Sequence, residues 1–502
     1  MPKSKIIGSA PILLVKDVIA SAKYYRDKVG FNYDFFWGEP LEFCILYRDG
    51  FHLMLKQVED EKFIVPHHKA AKGMWNIYFW VDDVDKLYEE LKSLGVKIDY
   101  ELCDQPYGCR EFGIQDLDGY DIAFGQEPGI TTQLCEPSGS RVEPPGDGGA
   151  VLHAIDQAPD RLDDGLSVST LQEEGIDPKP IGDMLAAIRS GEYTKLDSVL
   201  IARNDKLILE SYFNGYDRET KHDMRSAFKS VTSALAGIAI DKGLILDPDR
   251  PISDYFPDYW PHIQGDLALK NRISLTHLLT MTSGFNAEEA FEIGPNREGD
   301  MYRSQDWVTF TLDLPMAREP GTSFSYNSST TFLIGEIVAR ASGESLPQFA
   351  KKYLFEPLGI THYCWTLTPK QRAVAQGDFY IRPRDMIKIG QLFLNKGTWY
   401  EQRIISTRWV EESTRYHVDQ RHEQTGSQPH QDGYGFQWWI WRAKNSLFDL
   451  YFASGNGGQK IYVFPRINMV VVFTGSHYNR AIGHRQPTEI FDRYLMPAVP
   501  HQ

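Results

Sequence analysis

Apolar and polar positions in the first 126 residues repeat one order of elements. The apolar strand Pro11–Val15 leads into the helical stretch Ala20–Val29, and the strand 75–81 leads into the helical stretch Val84–Leu94. An aspartate precedes each helical stretch and a glycine follows it, which are the residues that cap helix starts and helix ends. Strand-like segments follow both helices. The pattern therefore predicts two copies of a βαβββ unit.

The rest of the chain divides into a linker and one large domain. Residues 128–165 are rich in Gly, Pro, Ser and Thr and have little apolar periodicity, which is typical of a linker. From Ile176 onward, strand-like and helical segments alternate without another break. We therefore predict a small domain over 1–127, a linker over 128–165 and a large domain over 166–502.

Charge narrows the range of partners. The 502 residues include 53 Lys plus Arg and 68 Asp plus Glu, a net charge of −15, and residues 1–127 hold 15 of the basic and 22 of the acidic residues, or −7. An acidic surface repels phosphate backbones, so nucleic acid is not expected as a partner. No apolar run is long enough to span a membrane, and the first residues do not resemble a secretory signal. Five cysteines without a pairing pattern predict reduced thiols in a cytoplasmic protein.

Three stretches of the small domain resemble the glyoxalase/bleomycin-resistance (vicinal oxygen chelate) superfamily. They read YYRDKVGF at 24–31, VDDVDKLYEELKSLGVKI at 81–98 and REFGIQDLDGYDIAFG at 110–125. Enzymes of that superfamily hold a divalent metal with His, Gln or Glu, and the resemblance places Ala10, Met54, Asn76 and Ala123 at those positions. Three of the four offer no donor for a hard metal. We therefore predict a domain without metal or other cofactor.

The small domain is instead expected to bind a small ligand. Aromatic side chains, among them Trp37, Trp75 and Tyr78, occur together with an acidic charge, a combination that suits a flat or cationic molecule. Alternation along a strand would make about half of these aromatics core residues. The resemblance implies ligand grooves between two domains and hence a homodimer.

The large domain contains a candidate nucleophile at Ser226-Ala-Phe-Lys229. This tetrapeptide opens an apolar stretch that Gly243 closes, so we expect a buried helix. Positions three apart share a helix face, which makes the Ser226 hydroxyl and the Lys229 amine neighbours. Free N–H groups at the helix start favour a developing anion, and a buried lysine can act as a base. Alone the pair is weak, since Ser-x-x-Lys arises by chance about once or twice in such a chain.

Further motifs, in order, resemble the class C β-lactamase-like serine hydrolases over about residues 166–490. They read ISLTHLLTMTSGF at 273–285, PGTSFSYNSSTTFLIGEIVAR at 320–340, RPRDMIKIGQLFLNKGTW at 382–399, GYGFQWW at 433–439 and ASGNGGQKIYVFPRINMVVVFTG at 453–475. The group includes penicillin-binding proteins, carboxylesterases, D-amino-acid peptidases and amide hydrolases. The resemblance implies an α+β chain whose large domain is an α/β/α sandwich with an antiparallel sheet and a helical subdomain.

Carrying the roles of this group across makes Ser226 the acyl-forming nucleophile and Lys229 its base partner. Tyr326 matches the tyrosine of the second motif, which relays protons, and the charge of Lys229 is expected to lower its pKa. The third residue of that motif is often Asn and here is Ser328, which can still donate a hydrogen bond.

The third motif departs further from the pattern. Alignment places Ala453-Ser454-Gly455 where β-lactamases have Lys or His, a variable residue and Gly. A backbone N–H of Asn456 or a neighbour would join that of Ser226 in an oxyanion hole. Since the missing base helps to hold a substrate carboxylate, a neutral ester or amide is favoured over a β-lactam. Lys460 is expected to be a solvated lysine.

These observations predict a serine hydrolase that cleaves a small ester or amide through a Ser226 acyl-enzyme, without metal or organic cofactor. Within the same class, β-lactamase or D-aminopeptidase activity is the alternative. A different class is also open: a resistance protein that sequesters a bleomycin-like drug in its small domain and carries a degenerate hydrolase domain.

Overall fold

The fold is described from a computed structural model of the chain. The description covers residues 10–48, 51–69, 74–81, 83–105, 109–126, 132–135, 151–152, 155–289, 295–419, 432–442 and 448–500. The chain forms two compact units, Met1–Thr132 and Gln133–Gln502, each of which is described by itself.

The small unit is the predicted pair of βαβββ copies. The first copy contains β1 (Ile12–Val15), α1 (Val18–Val29), β2 (Phe36–Trp37), β3 (Phe43–Arg48) and β4 (Phe51–Gln57), and the second contains β5 (Ile77–Trp80), α2 (Val84–Ser93), β6 (Ile98–Asp104), β7 (Arg110–Gln115) and β8 (Asp121–Gln126). The sheet orders, β1-β4-β3-β2 and β5-β8-β7-β6, are the same. In both sheets the first and last strands of the copy pair in parallel.

Local capping explains where the two helices begin and end. The Asp17 carboxylate accepts hydrogen bonds from the N–H groups that open α1, and Gly30 ends that helix at φ 78°. The Asp83 carboxylate accepts a hydrogen bond in the first turn of α2, and Gly95 follows that helix at φ 69°. Glycine adopts this left-handed conformation without strain. The repeat and its caps are confirmed.

The large unit has sixteen strands among the described residues. They are β9 (Thr132–Cys135), β10 (Val151–Leu152), β11 (Ser167–Val168), β12 (Leu196–Arg203), β13 (Lys206–Tyr212), β14 (His222–Asp223), β15 (Tyr363–Leu367), β16 (Phe379–Ile381), β17 (Thr398–Trp399), β18 (Gln402–Arg403), β19 (Val418–Asp419), β20 (Gly433–Tyr434), β21 (Trp439–Trp441), β22 (Leu450–Gly455), β23 (Gln459–Phe464) and β24 (Met469–Gly475). The main sheet has the order β10-β13-β12-β24-β23-β22-β21-β20-β19, with β11 beside β13. A smaller sheet has the order β14-β16-β15-β9.

The large unit has twelve α-helices among the described residues. They are α3 (Pro178–Arg189), α4 (Phe228–Asp241), α5 (Leu267–Lys270), α6 (Leu275–Leu279), α7 (Glu298–Arg303), α8 (Trp307–Asp313), α9 (Ser328–Ser342), α10 (Leu346–Ala350), α11 (Pro383–Leu394), α12 (Thr407–Ser413), α13 (Ala481–Ile490) and α14 (Met496–Ala498). Alternate residues of β24 go to opposite cores: Val470 and Val472 pack in the core that includes α4 and α11, whereas Val471 and Phe473 pack with α3 and α14. Because both faces are covered, the central strands are continuous apolar runs.

The chain is therefore of the mixed α+β class, and α5 to α10 form a helical region between β14 and β15. Helix α4 is buried from Phe228 to Ala239, as its small and apolar residues predict. It packs against α9, so the sequence segments around Ser226 and Tyr326 meet at the start of these two helices.

Two findings bear on the linker and the cysteines. Strands β9 and β10 fall within 128–165, and they join sheets of the large unit; the boundaries at 127 and 165 remain predictions. Cys364 is disulfide-bonded, whereas Cys44 and Cys103 are free thiols. The prediction that all five cysteines are reduced is wrong at Cys364, because spacing along the chain does not reveal which thiols a sheet brings together.

None of the described helices is long and apolar enough to cross a membrane.

Candidate active site

Ser226 lies in a short helical turn, Arg225–Ala227, that leads directly into α4. Its side chain is half-buried, and its Oγ accepts a hydrogen bond of 2.9 Å from Lys229 Nζ. Lys229 is 1% exposed. The structure therefore brings the two predicted residues together at a helix start, where N–H groups without intrahelical partners can stabilise an anion.

The residue before Ser226 is held in an unusual conformation. Arg225 has φ 48°, a left-handed value that costs energy for a residue with a side chain. Its N–H donates to Asp223 Oδ1 (2.8 Å), and its guanidinium lies 3.4 Å from Asp223 and 3.3 Å from Asp378. Tyr302 donates to the other oxygen of Asp378 (2.6 Å). These contacts, which join residues far apart in the sequence, fix the turn that presents Ser226.

Asp223 and its neighbour His222 do not form a triad with Ser226. Burial, together with the charge of Asp378, raises the pKa of Asp223 to about 7, and its carboxylate is occupied by the adjacent Arg225 backbone. Burial lowers the pKa of His222 to about 3, and its ring stacks on Tyr216. The Asp223 carboxylate instead caps the backbone N–H of Arg225 at the start of the nucleophile turn.

Three oxygens accept hydrogen bonds from the Lys229 amine, and the Tyr326 hydroxyl lies within hydrogen-bond reach of it as well. Besides Ser226 Oγ, Nζ donates to Ser328 Oγ (2.9 Å) and to the Gln376 carbonyl (3.2 Å). Nζ also lies 5.1 Å from the centre of the Tyr326 ring. Three oxygens match the three N–H donors of an ammonium group.

Tyr326 is buried against Lys229 and stacks on Trp439, with ring centres 5.6 Å apart. Burial raises the pKa of Tyr326 above its ordinary value, although the charge of Lys229 and a hydrogen bond with Ser226 oppose that rise. The charge of Lys229 lowers this pKa, as expected, but loss of solvent outweighs the nearby charge, so the pKa of Tyr326 is raised overall. The resting tyrosine is a proton donor.

Two neighbouring glutamates, which the sequence reasoning missed, clamp the segment around Tyr326. Glu288 Oε2 accepts from the Tyr326 N–H (3.0 Å) and the Ser325 hydroxyl (3.3 Å). Glu289 N–H donates to the Tyr326 carbonyl (2.9 Å). The Glu289 carboxylate accepts from the Ser328 N–H (2.8 Å) and hydroxyl (2.5 Å). An adjacent acidic pair just after the motif ending SGF was the only available signal.

The strand β22 brings its last residues beside the nucleophile turn. Pairing of β21 with β22 ends at Trp439 and Phe452, so that side of β22 has no partner among the described strands from Ala453 onward. A Cβ placed on Gly455 would lie 2.2 Å from the Met224 carbonyl oxygen and 3.2 Å from the Ala227 nitrogen. Only a glycine allows this approach.

Asn456 follows Gly455 and secures the turn after β22. Its side chain donates to Asn479 Oδ1 (2.6 Å) and accepts from the Asn479 N–H (2.7 Å). These paired bonds hold the backbone of Asn456 in place beside the edge of β22.

Ser454, in contrast, belongs to a cluster on the other face of the sheet. It pairs across strands with Lys460, whose Nζ donates to Ser454 Oγ (2.6 Å) and lies 3.4 Å from His484 Nδ1. Lys460 is 2% exposed, and burial lowers its pKa to about 7. The expectation of a solvated lysine is wrong, because antiparallel register places Lys460 under Ser454 rather than beyond the turn.

The predicted aromatic residues of the small unit separate into two groups. The ring centres of Trp75 and Tyr78 are 5.0 Å apart, and those of Tyr78 and Trp80 are 4.8 Å apart. Trp37 packs instead on Phe35, at 4.1 Å, in the other sheet. Ligand binding by this unit, and its lack of a metal, remain predictions.

The Tyr78 hydroxyl donates to the buried carboxylate of Glu111 (2.7 Å). Sequence reasoning missed Glu111, because its charge gave no sign that it is buried beneath the aromatic residues.

Each of the two units matches a different known family. The model of the Beta-lactamase family matches residues 196–490, which is more than half of the 502 residues. The model of the Glyoxalase/Bleomycin resistance protein/Dioxygenase superfamily matches residues 9–124. The fusion predicted from the motifs is confirmed.

Individual relatives match the large unit. A 6-aminohexanoate-dimer hydrolase of Paenarthrobacter ureafaciens is 26% identical over 301 residues, which cover 56% of this chain and 72% of that protein. A beta-lactamase of Escherichia coli (strain K12) is 29% identical over 152 residues, which cover 30% of this chain and 36% of that protein. Among solved structures, EstCE1, a hydrolase with promiscuous acyltransferase activity, has a TM-score of 0.52 at 16% identity and covers 63% of this chain and 97% of that one. At that identity the last likeness shows the fold alone, and the predicted fold class is confirmed.

Proposed function

The chain belongs to the beta-lactamase family, and we propose that its large unit is a serine hydrolase that cleaves a small ester or amide through an acyl-enzyme on Ser226. One observation carries the proposal: the Lys229 amine lies 2.9 Å from Ser226 Oγ at the start of α4, with Tyr326 against it. A nucleophile, a base in hydrogen-bond reach and a third group that orients the base are what acyl transfer needs.

In the acylation step, Lys229 Nζ takes the proton of Ser226 while Oγ forms a bond to the substrate carbonyl carbon. The N–H groups of Ser226 and Asn456 are the proposed donors to the resulting oxyanion. When the bond to the leaving group breaks, Tyr326 donates its proton to that group and regains one from Lys229. Water then attacks the acyl carbon and gives a proton to the neutral Lys229 amine; as the bond from the acyl carbon to Ser226 Oγ breaks, Lys229 passes that proton to Oγ and the acid is released.

A neutral carbonyl substrate fits this site better than a β-lactam. Ala453, which aligns with the basic residue of the third motif, carries no charge, and Lys460 is directed at Ser454 on the opposite face of β22. The names of two similar proteins, a 6-aminohexanoate-dimer hydrolase and a hydrolase with promiscuous acyltransferase activity, are consistent with an amide or ester substrate.

Labelling with a fluorophosphonate probe tests the proposal. We expect the wild type and Ser230→Ala to be labelled, and Ser226→Ala to be unlabelled. Ser230 is the matched control, because it lies on the same helix but donates to the Gln437 carbonyl (2.7 Å) rather than contacting Lys229. Equal labelling of Ser226→Ala would refute the mechanism. Turnover of p-nitrophenyl esters, nitrocefin and D-amino-acid amides by the same variants then separates esterase, β-lactamase and aminopeptidase activity.

A further inference from the structure

A line of hydrogen bonds continues from the nucleophile beyond Lys229 and ends on a carboxylate. Ser226 Oγ, Lys229 Nζ and Ser328 Oγ are spaced at 2.9 Å each, and Ser328 Oγ lies 2.5 Å from Glu289 Oε2. We propose that Glu289 is a positioning residue that holds a proton for Lys229 through the Ser328 hydroxyl. This inference rests on the hydrolase function proposed for the large unit.

The direction of the line is fixed by the donors. Ser328 has one hydroxyl proton, and it donates that proton to Glu289. It can therefore only accept from Lys229. The Ser328 N–H, bound to the second carboxylate oxygen at 2.8 Å, keeps Glu289 from turning away. Every hydrogen bond along the line points from the amine toward the carboxylate.

Because the hydrogen bonds run in this direction, Lys229 can pass a proton toward Glu289 before it acts as the base for Ser226. An ammonium group whose three protons face three oxygens has no lone pair with which to accept the proton of Ser226. In the proposed transfer, an N–H bond of Lys229 breaks as an O–H bond forms on Ser328. The original O–H bond of Ser328 breaks as an O–H bond forms on Glu289. The result is a neutral amine and a neutral carboxylic acid, with no change in total charge.

The neutral amine then accepts the proton of Ser226 as Oγ attacks the carbonyl carbon. After the leaving group has taken a proton from Tyr326, and Tyr326 has regained one from Lys229, Glu289 returns its proton along the same line. Protons are conserved over this acylation step.

The surroundings of Glu289 favour a carboxyl group that can hold a proton near neutral pH. Burial and the charge of Glu298, at the start of α7, raise the pKa of Glu289 to about 7. Lys229 on α4 and the hydrogen bonds from Ser328 oppose that rise. Tyr326 and Glu288 are further titratable neighbours, and the charge of Glu289 adds to the burial that raises the pKa of Tyr326.

Glu288 provides a matched control for a purely structural role. It precedes Glu289 and supports the same segment through the Tyr326 N–H and the Ser325 hydroxyl. Neither group contacts the Lys229 amine in the structure. Replacing Glu288 therefore disturbs the clamp but leaves the line from Lys229 intact.

The test is the pH profile of kcat/KM for p-nitrophenyl acetate in the full-length protein. We expect the acidic limb of Glu289→Gln and Ser328→Ala to lie at least about one pH unit above that of the wild type, since the proton must then leave Lys229 for solvent. We expect Glu288→Gln to lower the rate without moving the limb. The double variant of Glu289→Gln and Ser328→Ala should show the shift of one single variant, not their sum.

The inference is overturned if the acidic limb of the pH profile lies within about 0.3 pH units of the wild-type limb in both Glu289→Gln and Ser328→Ala. A shift of the same size in Glu288→Gln also overturns it, because loosening of the clamp would then explain the effect. If Glu289→Gln does not fold, Ser328→Ala decides, with Glu289→Asp expected to keep the wild-type limb. Fluorophosphonate labelling separates the two proposals: a wild type unlabelled at Ser226 refutes the hydrolase function, whereas a labelled, active enzyme with an unmoved limb refutes only the role of Glu289.

Discussion

Adding one methyl group at Gly455 tests how closely β22 must approach the nucleophile turn. The Cβ of Gly455→Ala would lie 2.2 Å from the Met224 carbonyl oxygen, whereas carbon and oxygen normally stay about 3.3 Å apart. The strand or the turn must therefore move by about 1 Å. Oxyanion donors act only within about 2.7–3.1 Å of the oxygen that they stabilise, so a shift of this size removes the proposed Asn456 N–H from reach.

We expect kcat for p-nitrophenyl acetate to fall about 10²–10³-fold, which is the effect of losing one oxyanion donor. The free energy of unfolding should fall by about 1–3 kcal/mol, as for other overpacked sites. Gly182→Ala is the control, because a Cβ there meets only the end of the Ile155 side chain, at 3.1 Å, and that side chain can move. A Gly455→Ala variant with kcat within about threefold of the wild type would show that β22 does not need this approach, and the oxyanion assignment would be refuted.

Two buried charges give opposite pH dependences of stability. Burial raises the pKa of Asp197 to about 7, and its Oδ2 has no hydrogen-bond partner among the described residues. The folded state therefore binds the proton of Asp197 more tightly than the unfolded state does. The stability of the wild type consequently falls as the pH rises from about 4 to 7. The advantage of Asp197→Asn over the wild type should grow by about 2–3 kcal/mol between pH 5 and pH 8 in urea titrations, and no growth would contradict the buried carboxylate. Burial lowers the pKa of Lys460 to about 7, so the unfolded state binds more protons between about pH 7 and 10 and wild-type stability rises there. The free energy of unfolding of Lys460→Met relative to the wild type should fall by about 2–3 kcal/mol between pH 6.5 and pH 9. A difference that stays constant with pH would contradict the lowered pKa of Lys460.

Local rules predicted much of this chain. Asp17 and Gly30 cap α1 through contacts within a few residues, and Ser226 and Lys229 meet because they are three apart at a helix start. Tyr326 was found through its motif. In each case the physical cause lies within one segment of sequence, where spacing alone determines which atoms come together.

The parts that the sequence did not predict depend on pairings across the fold. Asp378, which holds Arg225, lies 153 residues further along the chain, and no local pattern marks it. The position of Lys460 follows from the register of β22 with β23, and a shift of one residue would have turned its side chain to the other face. The balance of burial against charge that raises the pKa of Tyr326 also requires the packed structure, since neither effect has a magnitude before the surrounding atoms are in place.

The register of these strands bears on the substrate. Successive side chains along a strand point to opposite faces, and the Gly455 position faces the Met224 carbonyl beside Ser226. Ser454 therefore points away from Ser226, toward Lys460 and the start of α13. The one cation that this strand pair brings to the third motif lies on the far side of the sheet. It is also held where burial disfavours its charge. A substrate carboxylate seated along the open edge of β22 would find the uncharged Ala453 where β-lactamases place a base, which supports a neutral ester or amide as the substrate class.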